Sequence, residues 1–245
     1  MRGTGTLGKR IGYGWYYNWY AVDNANGLAP DGWRVPSDDD WKNLEMHLGM
    51  SQAEADRENE GPDDKNLRGT TEGGKLKSTI NEWLSPNTGA TNSTKFNATP
   101  GGLNDTSGVI GYNMRDRAVF WTSTLYTTEF SGTGVPFLRR LLYDNSGISR
   151  YTTHRRYGFP VRCVMDKPIG REEGEEGFMV DIDNNHYSNV VIGDLLWMTE
   201  NLRTTRYKNG VEIPHIIGDN EWANDTTGAR SAYNNDHYFV YPPNK

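Results

Sequence analysis

The sequence predicts a domain of mixed α and β structure, with its helices early in the chain and its strands after residue 118. Three observations carry this. Residues 37–49 hold a full helix signature: Ser37 caps the first turn, and Asp38, Asp39 and Asp40 suit the positive end of the helix dipole. Trp41, Leu44, Glu45 and Leu48 then follow at helical spacing, and Gly49 stops the helix. Later in the chain, Leu138, Arg140 and Leu142 alternate with Arg139, Leu141 and Tyr143, so the two sets face opposite sides of a sheet. Finally, the hydrophobic fraction is only 35% but the chain carries 8 Trp and 14 Tyr, so the core leans on large rings, while 28 Gly suit tight turns and short strands.

The remaining elements follow in order. Residues 11–22, rich in aromatic rings, read as a strand or turn-strand segment, and residues 24–33 carry turn chemistry. A second, polar helix is expected over about residues 51–60. Residues 61–117 are rich in Gly, Asn and Thr, with Leu67, Leu76, Ile80, Trp83 and Phe96 as isolated anchors. They read as loops with one short helix near residues 74–80, and long ordered loops are often functional. A strand starts at Ala118, a turn falls at residues 144–147, a returning strand covers residues 148–156, and a buried strand is expected over residues 158–165. Residues 167–177, polar and acidic, read as a flexible linker. Residues 178–187 and 190–198 then form a hairpin, and loops around Trp222 lead to residues 231–238.

Composition excludes several classes of function. A net charge of −6 disfavours wholesale nucleic-acid binding. No apolar run is long enough to span a bilayer, and residues 1–14 show no apolar core of a signal peptide. The single cysteine, Cys163, excludes an internal disulfide and a Cys-based zinc cluster. It lies in an apolar stretch and reads as a small core residue rather than a nucleophile. His47, His154, His186, His215 and His237 show no metal-binding spacing. Asp181 and Asp183 faintly suggest a calcium loop, but the expected glycine and distal glutamate are absent, and a hairpin turn explains them better. Asp38, Asp39 and Asp40 are explained by helix-terminus electrostatics rather than a cation. No phosphate-binding loop, dinucleotide fingerprint or nucleophilic triad stands out. The expectation is a non-enzymatic chain with no catalytic residue, metal or cofactor.

Residues 182–216, IDNNHYSNVVIGDLLWMTENLRTTRYKNGVEIPHI, resemble the opening of the Fibrobacter succinogenes major paralogous domain. That family's pattern is D-x-D-G-N-x-Y, then IG-x-x-x-WM-x-ENL-x-T-x-Y-x-x-G-x-x-IP. Trp197, Met198, Glu200, Asn201, Leu202, Tyr207, Gly210, Ile213 and Pro214 match it, whereas Asn184-Asn185 replaces the usual Gly-Asn turn. The rest of the family pattern resembles YNWYAV (residues 17–22), GWRVPSDDDW (32–41), FWTST (120–124) and YGFPVRCV (157–164). In the family the order is reversed: the segment found here at 182–216 comes first, and the strand found here at 157–164 comes last. The chain therefore reads as one circularly permuted domain over residues 1–245. Residues 1–166 are the family's C-terminal part, 167–177 the joining linker, and 178–245 its N-terminal part. A permutation requires the old termini to lie close together and the new break to fall in an exposed loop. A tandem array drawn out of phase and segment exchange between molecules are the competing readings.

The resemblance implies a compact α+β fold of the C-type-lectin-like class, in the variety shared with formylglycine-generating enzymes. Two helices would pack on short antiparallel strands, and long loops would carry the ligand site. It also implies an extracellular or cell-surface setting, and a monomer is favoured. Arg139, Leu141, Tyr143, Asn145, Ser146, Arg150, Gly158 and Phe159 match the family frame, while the interleaved positions depart from it. That split resembles the variable proteins of diversity-generating retroelements, with an ordinary solvent-facing hairpin as the alternative. The expected ligand surface comprises Tyr126, Thr127, Thr128, Phe130, Leu138, Arg140, Leu142, Gly147, Ser149, Tyr151, Thr152, Thr153, His154 and Arg156. Aromatic rings would supply rigid contact area, Ser and Thr adaptable hydrogen bonds, and Arg140 and Arg156 charge-assisted ones. The expected partner is a protein or a glycan. A structural module of a cell-surface or fimbrial assembly and a degenerate formylglycine-generating-type enzyme are the alternatives.

Overall fold

The computed structural model describes residues 12–61, 66–106, 110–127, 134–233 and 240. Among them, short strands dominate and helices are few and brief. In chain order the elements are β1 (Tyr16–Asn18), α1 (Trp19–Val22), α2 (Asp38–His47), α3 (Gln52–Asp56) and α4 (Glu72–Leu76). There follow β2 (Leu103–Asn104), β3 (Ile110–Tyr112), β4 (Arg117–Tyr126), β5 (Val135–Leu142), β6 (Ser149–Thr152) and β7 (Gly158–Phe159). The last are β8 (Val164–Asp166), β9 (Glu176–Val180), β10 (His186–Ile192), β11 (Leu195–Met198), α5 (Asp219–Asn224) and β12 (Arg230–Ser231). Three antiparallel sheets result, ordered β12-β1-β7-β2-β3, β8-β11-β10-β9 and β4-β5-β6.

The helix α2 forms where its cap places it. Ser37 accepts from the Asp40 amide, and the Asp40 carboxylate accepts from the Ser37 amide, a reciprocal capping box. Its inner face carries Trp41 and Leu44 into a cluster with Phe96, Phe120 and Trp197, whose ring centroids lie 5.0 to 5.7 Å from that of Trp41. The buried Arg162 guanidinium lies 4.4 Å from the Phe96 ring centre and donates to the carbonyls of Phe96 and Asn97 and to Asn201 Oδ1. A second cluster gathers Trp15, Trp121, Leu138, Tyr151 and Phe159.

The segment after residue 166 belongs to the same interior. Tyr187, Met198, Leu202, Tyr207 and Ile213 enter the second cluster, and Val190, Ile192 and Trp197 enter the first. The backbone follows: β11 pairs with β8, β12 with β1, and the Trp15 amide donates to Leu202 O.

Several boundaries differ from the sequence-based expectation. The second helix is only α3, because Asn59 turns away to exchange bonds with Arg150: its amide donates to Arg150 O, and its Oδ1 accepts from the Arg150 amide. The third is α4, two residues early, because Lys77 and Ser78 pair with Ala98. The expected strand over residues 158–165 is divided between β7 and β8, in two different sheets. Between them Pro160, Val161 and Cys163 present carbonyls to the amides of Trp121, Leu202 and Met198. The expected hairpin after residue 178 is three strands, β9 to β11, and Trp222 lies in the short helix α5 rather than a loop. Residues 234–238 of the expected C-terminal element lie outside the described residues.

Residues 167–175, composed like a flexible tether, are held at several points. The Lys167 amide donates to Asp194 O and the Gly174 amide to Val191 O. The Glu173 carboxylate accepts from the Gly193 amide at 2.9 Å and faces His47 Nε2 at 3.2 Å. Composition misses this because each contact reaches a distant segment.

Candidate ligand-binding surface

The candidate surface is built on β4, β5 and β6. Their register places Leu138 opposite Trp121 and Tyr151, and Arg140 opposite Val119 and Ser149. The alternation read from the sequence is present: Leu138 packs in one core cluster and Leu141 in the other. Both faces are covered, however. On one, Arg139 and Arg150 grip the buried carboxylate of Asp38, with contacts of 2.7 and 2.8 Å. Arg139 also reaches Glu45 at 2.6 Å, and Arg68 binds the same carboxylate at 2.8 Å through both of its terminal nitrogens. Burial alone would raise the Asp38 carboxyl, but the hydrogen bonds from Arg150 and the charges of Arg139 and Arg150 hold it well below the usual carboxylate range.

On the other face, Leu138, Arg140, Ser149 and Tyr151 are buried, as is Gly147 in the turn. Arg140 donates to Ser149 Oγ at 3.1 Å and lies 5.2 Å from the centre of the Tyr151 ring. These five positions therefore form a supporting layer rather than the solvent-facing row expected of them. The physical reason is that this face of the hairpin meets the Trp121 cluster instead of water. Leu142, Thr152, Thr153 and Arg156 are half-buried, while Tyr126, Thr127 and His154 are exposed. Thr128 and Phe130 lie outside the described residues.

The exposed positions converge on one rim. Tyr126 pairs with Val135 at the open end of the β4–β5 ladder, and its ring meets Phe137 edge-on at 5.8 Å. The loop after β6 folds onto that end: the Thr153 amide donates to Pro136 O at 3.1 Å, and Arg155 Nε donates to Gly134 O at 3.3 Å. Arg155 lies 4.8 Å from the Trp19 ring centre, and Tyr157 stacks on Phe159 with centroids 5.6 Å apart. His154 is held below the ordinary imidazole value, first by partial burial and then by the charges of Arg156 and Arg155. The Arg156 side chain makes no ion pair among the described residues, and its buried Nε has no partner. Val135 and Tyr157 border the same rim and were not among the expected positions, whereas Arg155 lies within the expected span 149–156. A usable signal was the end of the strand at Thr152, beyond which every residue of the loop leaves the alternating pattern.

The other chemistry considered from the sequence resolves as structure. Asp181 accepts from the amides of Asp183 and Asn185, from Asn185 Nδ2 and from Tyr187 Oη at 2.6 Å. Asp183 is taken by Thr204, Thr205 and Arg206. Both carboxylates are thus committed to protein donors at a turn. Cys163 is fully buried, and burial pushes its thiol well above the ordinary value. A cleft of about 500 Å³ lies between α2, β8 and the β10–β11 turn, with Arg34, Asp40, Asp166, Lys167 and Asp194 around it. Arg34 closes part of it by pairing with Asp40 and Asp166. Among the described residues no group of three metal-ligating side chains comes together, and no helix is long and apolar enough to cross a membrane.

The model of one protein family, the Fibrobacter succinogenes major domain, matches residues 4–165. Nothing among curated proteins or among solved structures matches the chain.

Proposed function

Because the chain belongs to the Fibrobacter succinogenes major domain family, we propose that it is a non-enzymatic, C-type-lectin-like binding domain. Its ligand, a protein or a glycan, would seat on the rim formed by Tyr126, Thr127, Thr152, Thr153, His154 and Arg156. The observation that carries this reading is the exposed pair Tyr126 and Thr127 at the open end of the β4–β5 ladder, onto which the loop bearing His154, Arg155 and Arg156 folds through the Thr153 amide to Pro136 O and Arg155 Nε to Gly134 O. Leu138, Arg140, Gly147, Ser149 and Tyr151 act beneath it as support. The interleaving of family-like and divergent positions supports a diversified surface of the kind carried by variable proteins of diversity-generating retroelements.

The chain is also proposed to be circularly permuted, in an extracellular or cell-surface setting. The family match stops at residue 165, and the segment beyond it fills the same core. The Gly14 amide donates to Val240 O at 3.3 Å, and Tyr16 pairs with Ser231, so the two ends of the chain meet where the family sequence runs on. A structural role in a surface assembly is favoured by one observation only, the bare apolar strip on β9. The deep burial of Cys163 speaks against a formylglycine-generating type of chemistry.

A glycan array and a displayed-protein library, each probed with the parent chain and with Arg156→Ala and Tyr126→Ala, test the binding site. We expect a selective ligand whose affinity falls about tenfold in each variant, as loss of a charge-assisted bond or an aromatic anchor brings. Unchanged affinity in both variants removes the rim assignment.

A further inference from the structure

We propose that the cleft between α2, β8 and the β10–β11 turn binds a free apolar α-amino acid, its carboxylate on Lys167 and its ammonium on Asp194. The cleft holds about 500 Å³, within the range of small-molecule sites. It opens where a helix and a sheet meet over apolar side chains. Leu44 of α2 and Ile192, Leu195 and Trp197 of the hairpin line it; Leu195 is half-buried and the others are buried.

Two polar ties hold its walls. On one side Arg34 bonds both carboxylate oxygens of Asp40 on α2, at 2.8 and 3.0 Å, and reaches Asp166 of β8 at 3.2 Å. On the other, the Glu173 carboxylate accepts from the Gly193 amide in the turn and faces His47 at the end of α2. A Cβ on Gly193 would stand 3.5 Å from the His47 ring, so the turn passes close against the helix. Walls fixed before a ligand arrives lower the cost of binding it.

These ties commit Arg34, Asp40, Asp166 and His47. The polar side chains left around the cleft are Asn43, Lys167 and Asp194, and none of the three makes a side-chain hydrogen bond or ion pair among the described residues. Lys167 and Asp194 continue the β8–β11 ladder. Asp166 stands opposite Leu195, and beyond that pair the Lys167 amide donates to Asp194 O at 2.9 Å. Cross-strand neighbours have Cβ atoms about 4.5–5.5 Å apart, a spacing that an ammonium and a carboxylate on one α-carbon can bridge.

The uncommitted charges select the occupant. A lone anion drawn to Lys167 would meet Asp194, and a lone cation drawn to Asp194 would meet Lys167. An α-amino acid brings both charges and no net one. Asn43, which both donates and accepts, can bond either end. The apolar lining then favours a side chain such as that of leucine over a polar one. The cleft shares no residue with the proposed rim, and the two stand or fall apart.

Titration of the isotope-labelled full chain with L-leucine, followed by NMR, tests the site. We expect saturable shifts at residues 166–167 and 193–195, with a dissociation constant of about 1 mM, fitting a ligand of so few atoms. Lys167→Gln and Asp194→Asn, neither of them at a buried position, should each weaken leucine binding by about tenfold or more with unchanged circular dichroism. N-acetyl-leucine, which lacks the ammonium, and leucine amide, which lacks the carboxylate, should bind the parent chain as weakly as leucine binds the variants. The absence of a saturable shift up to about 50 mM leucine overturns the inference. So does glucose binding as tightly as leucine, either leucine derivative binding undiminished, or unchanged affinity in both variants.

Discussion

Behind α2 and on the proposed rim, arginines meet opposite circumstances. Behind α2, Arg68, Arg139 and Arg150 share two buried carboxylates, Asp38 and Glu45, with contacts between 2.6 and 2.8 Å. On the proposed rim, Arg155 rests on the Trp19 ring and bonds Gly134 O, and Arg156 makes no ion pair among the described residues. The difference is the supply of acceptors. Where side-chain carboxylates project from a helix onto a strand, arginine becomes a fixed structural joint. Where a loop lies away from those carboxylates, its arginines rest on a ring and on backbone carbonyls, and the proposal that they serve a ligand turns on that difference.

The strongest way to break this contrast is to remove an acceptor behind α2. Glu45→Gln keeps the shape but leaves Arg68 without a counter-charge, and Arg139 with Asp38 alone, in a site that is 0% exposed. Losing one partner of a buried ion pair costs about 3–5 kcal/mol. Urea unfolding should therefore show a much lower midpoint at unchanged slope. A loss below about 1 kcal/mol would place the rigidity of the hairpin in its apolar contacts instead.

Acid tests the same joint more gently. The folded carboxyl of Asp38 is depressed by Arg150 and Arg139 against the opposing effect of burial. A depressed carboxyl contributes stability that is present in full above its unfolded value, near pH ~3.9, and is lost as pH falls through the folded value. We expect unfolding free energy to drop by about 2–3 kcal/mol from pH 5 toward pH 2 through this group. In Asp38→Asn that part of the slope should vanish. An equal slope in the variant would assign the acid sensitivity to other carboxylates.

How far these features were legible in the sequence depends on how local their causes are. The helix α2 was legible because Ser37 and Asp40, three residues apart, make its cap. The alternation at residues 138–143 was legible because it is a property of the strand itself. The division of residues 158–165 into β7 and β8 was not, because the carbonyls between them serve amides as far off as Leu202. Nor was the early end of α3, which depends on Asn59 finding Arg150, 91 residues away. For the site, periodicity showed which side chains share a face, but not that both faces of β5 and β6 would be covered. Leu138, Arg140, Ser149 and Tyr151 therefore read as surface and are interior. The loop from Thr153 to Tyr157 carried the right residue types, but its contact with Gly134 and Pro136 is tertiary.

The smallest expected effect sharpens the contrast from the rim side. His154 is exposed, and Tyr126 is 43% exposed with its ring set edge-on to Phe137. If these side chains serve a ligand rather than the fold, His154→Ala should change stability by no more than about 0.5 kcal/mol, and Tyr126→Ala by little more. In a domain of this size that is a shift in melting temperature of roughly 1–2 °C. Tyr151→Ala, only three residues before His154 but buried against Leu138 and Arg140, belongs with the larger losses of about 3–5 kcal/mol. Thermal unfolding of the three variants side by side separates a supporting layer from a presenting one. A large loss in His154→Ala would make the loop part of the frame and leave the rim without its adaptable surface.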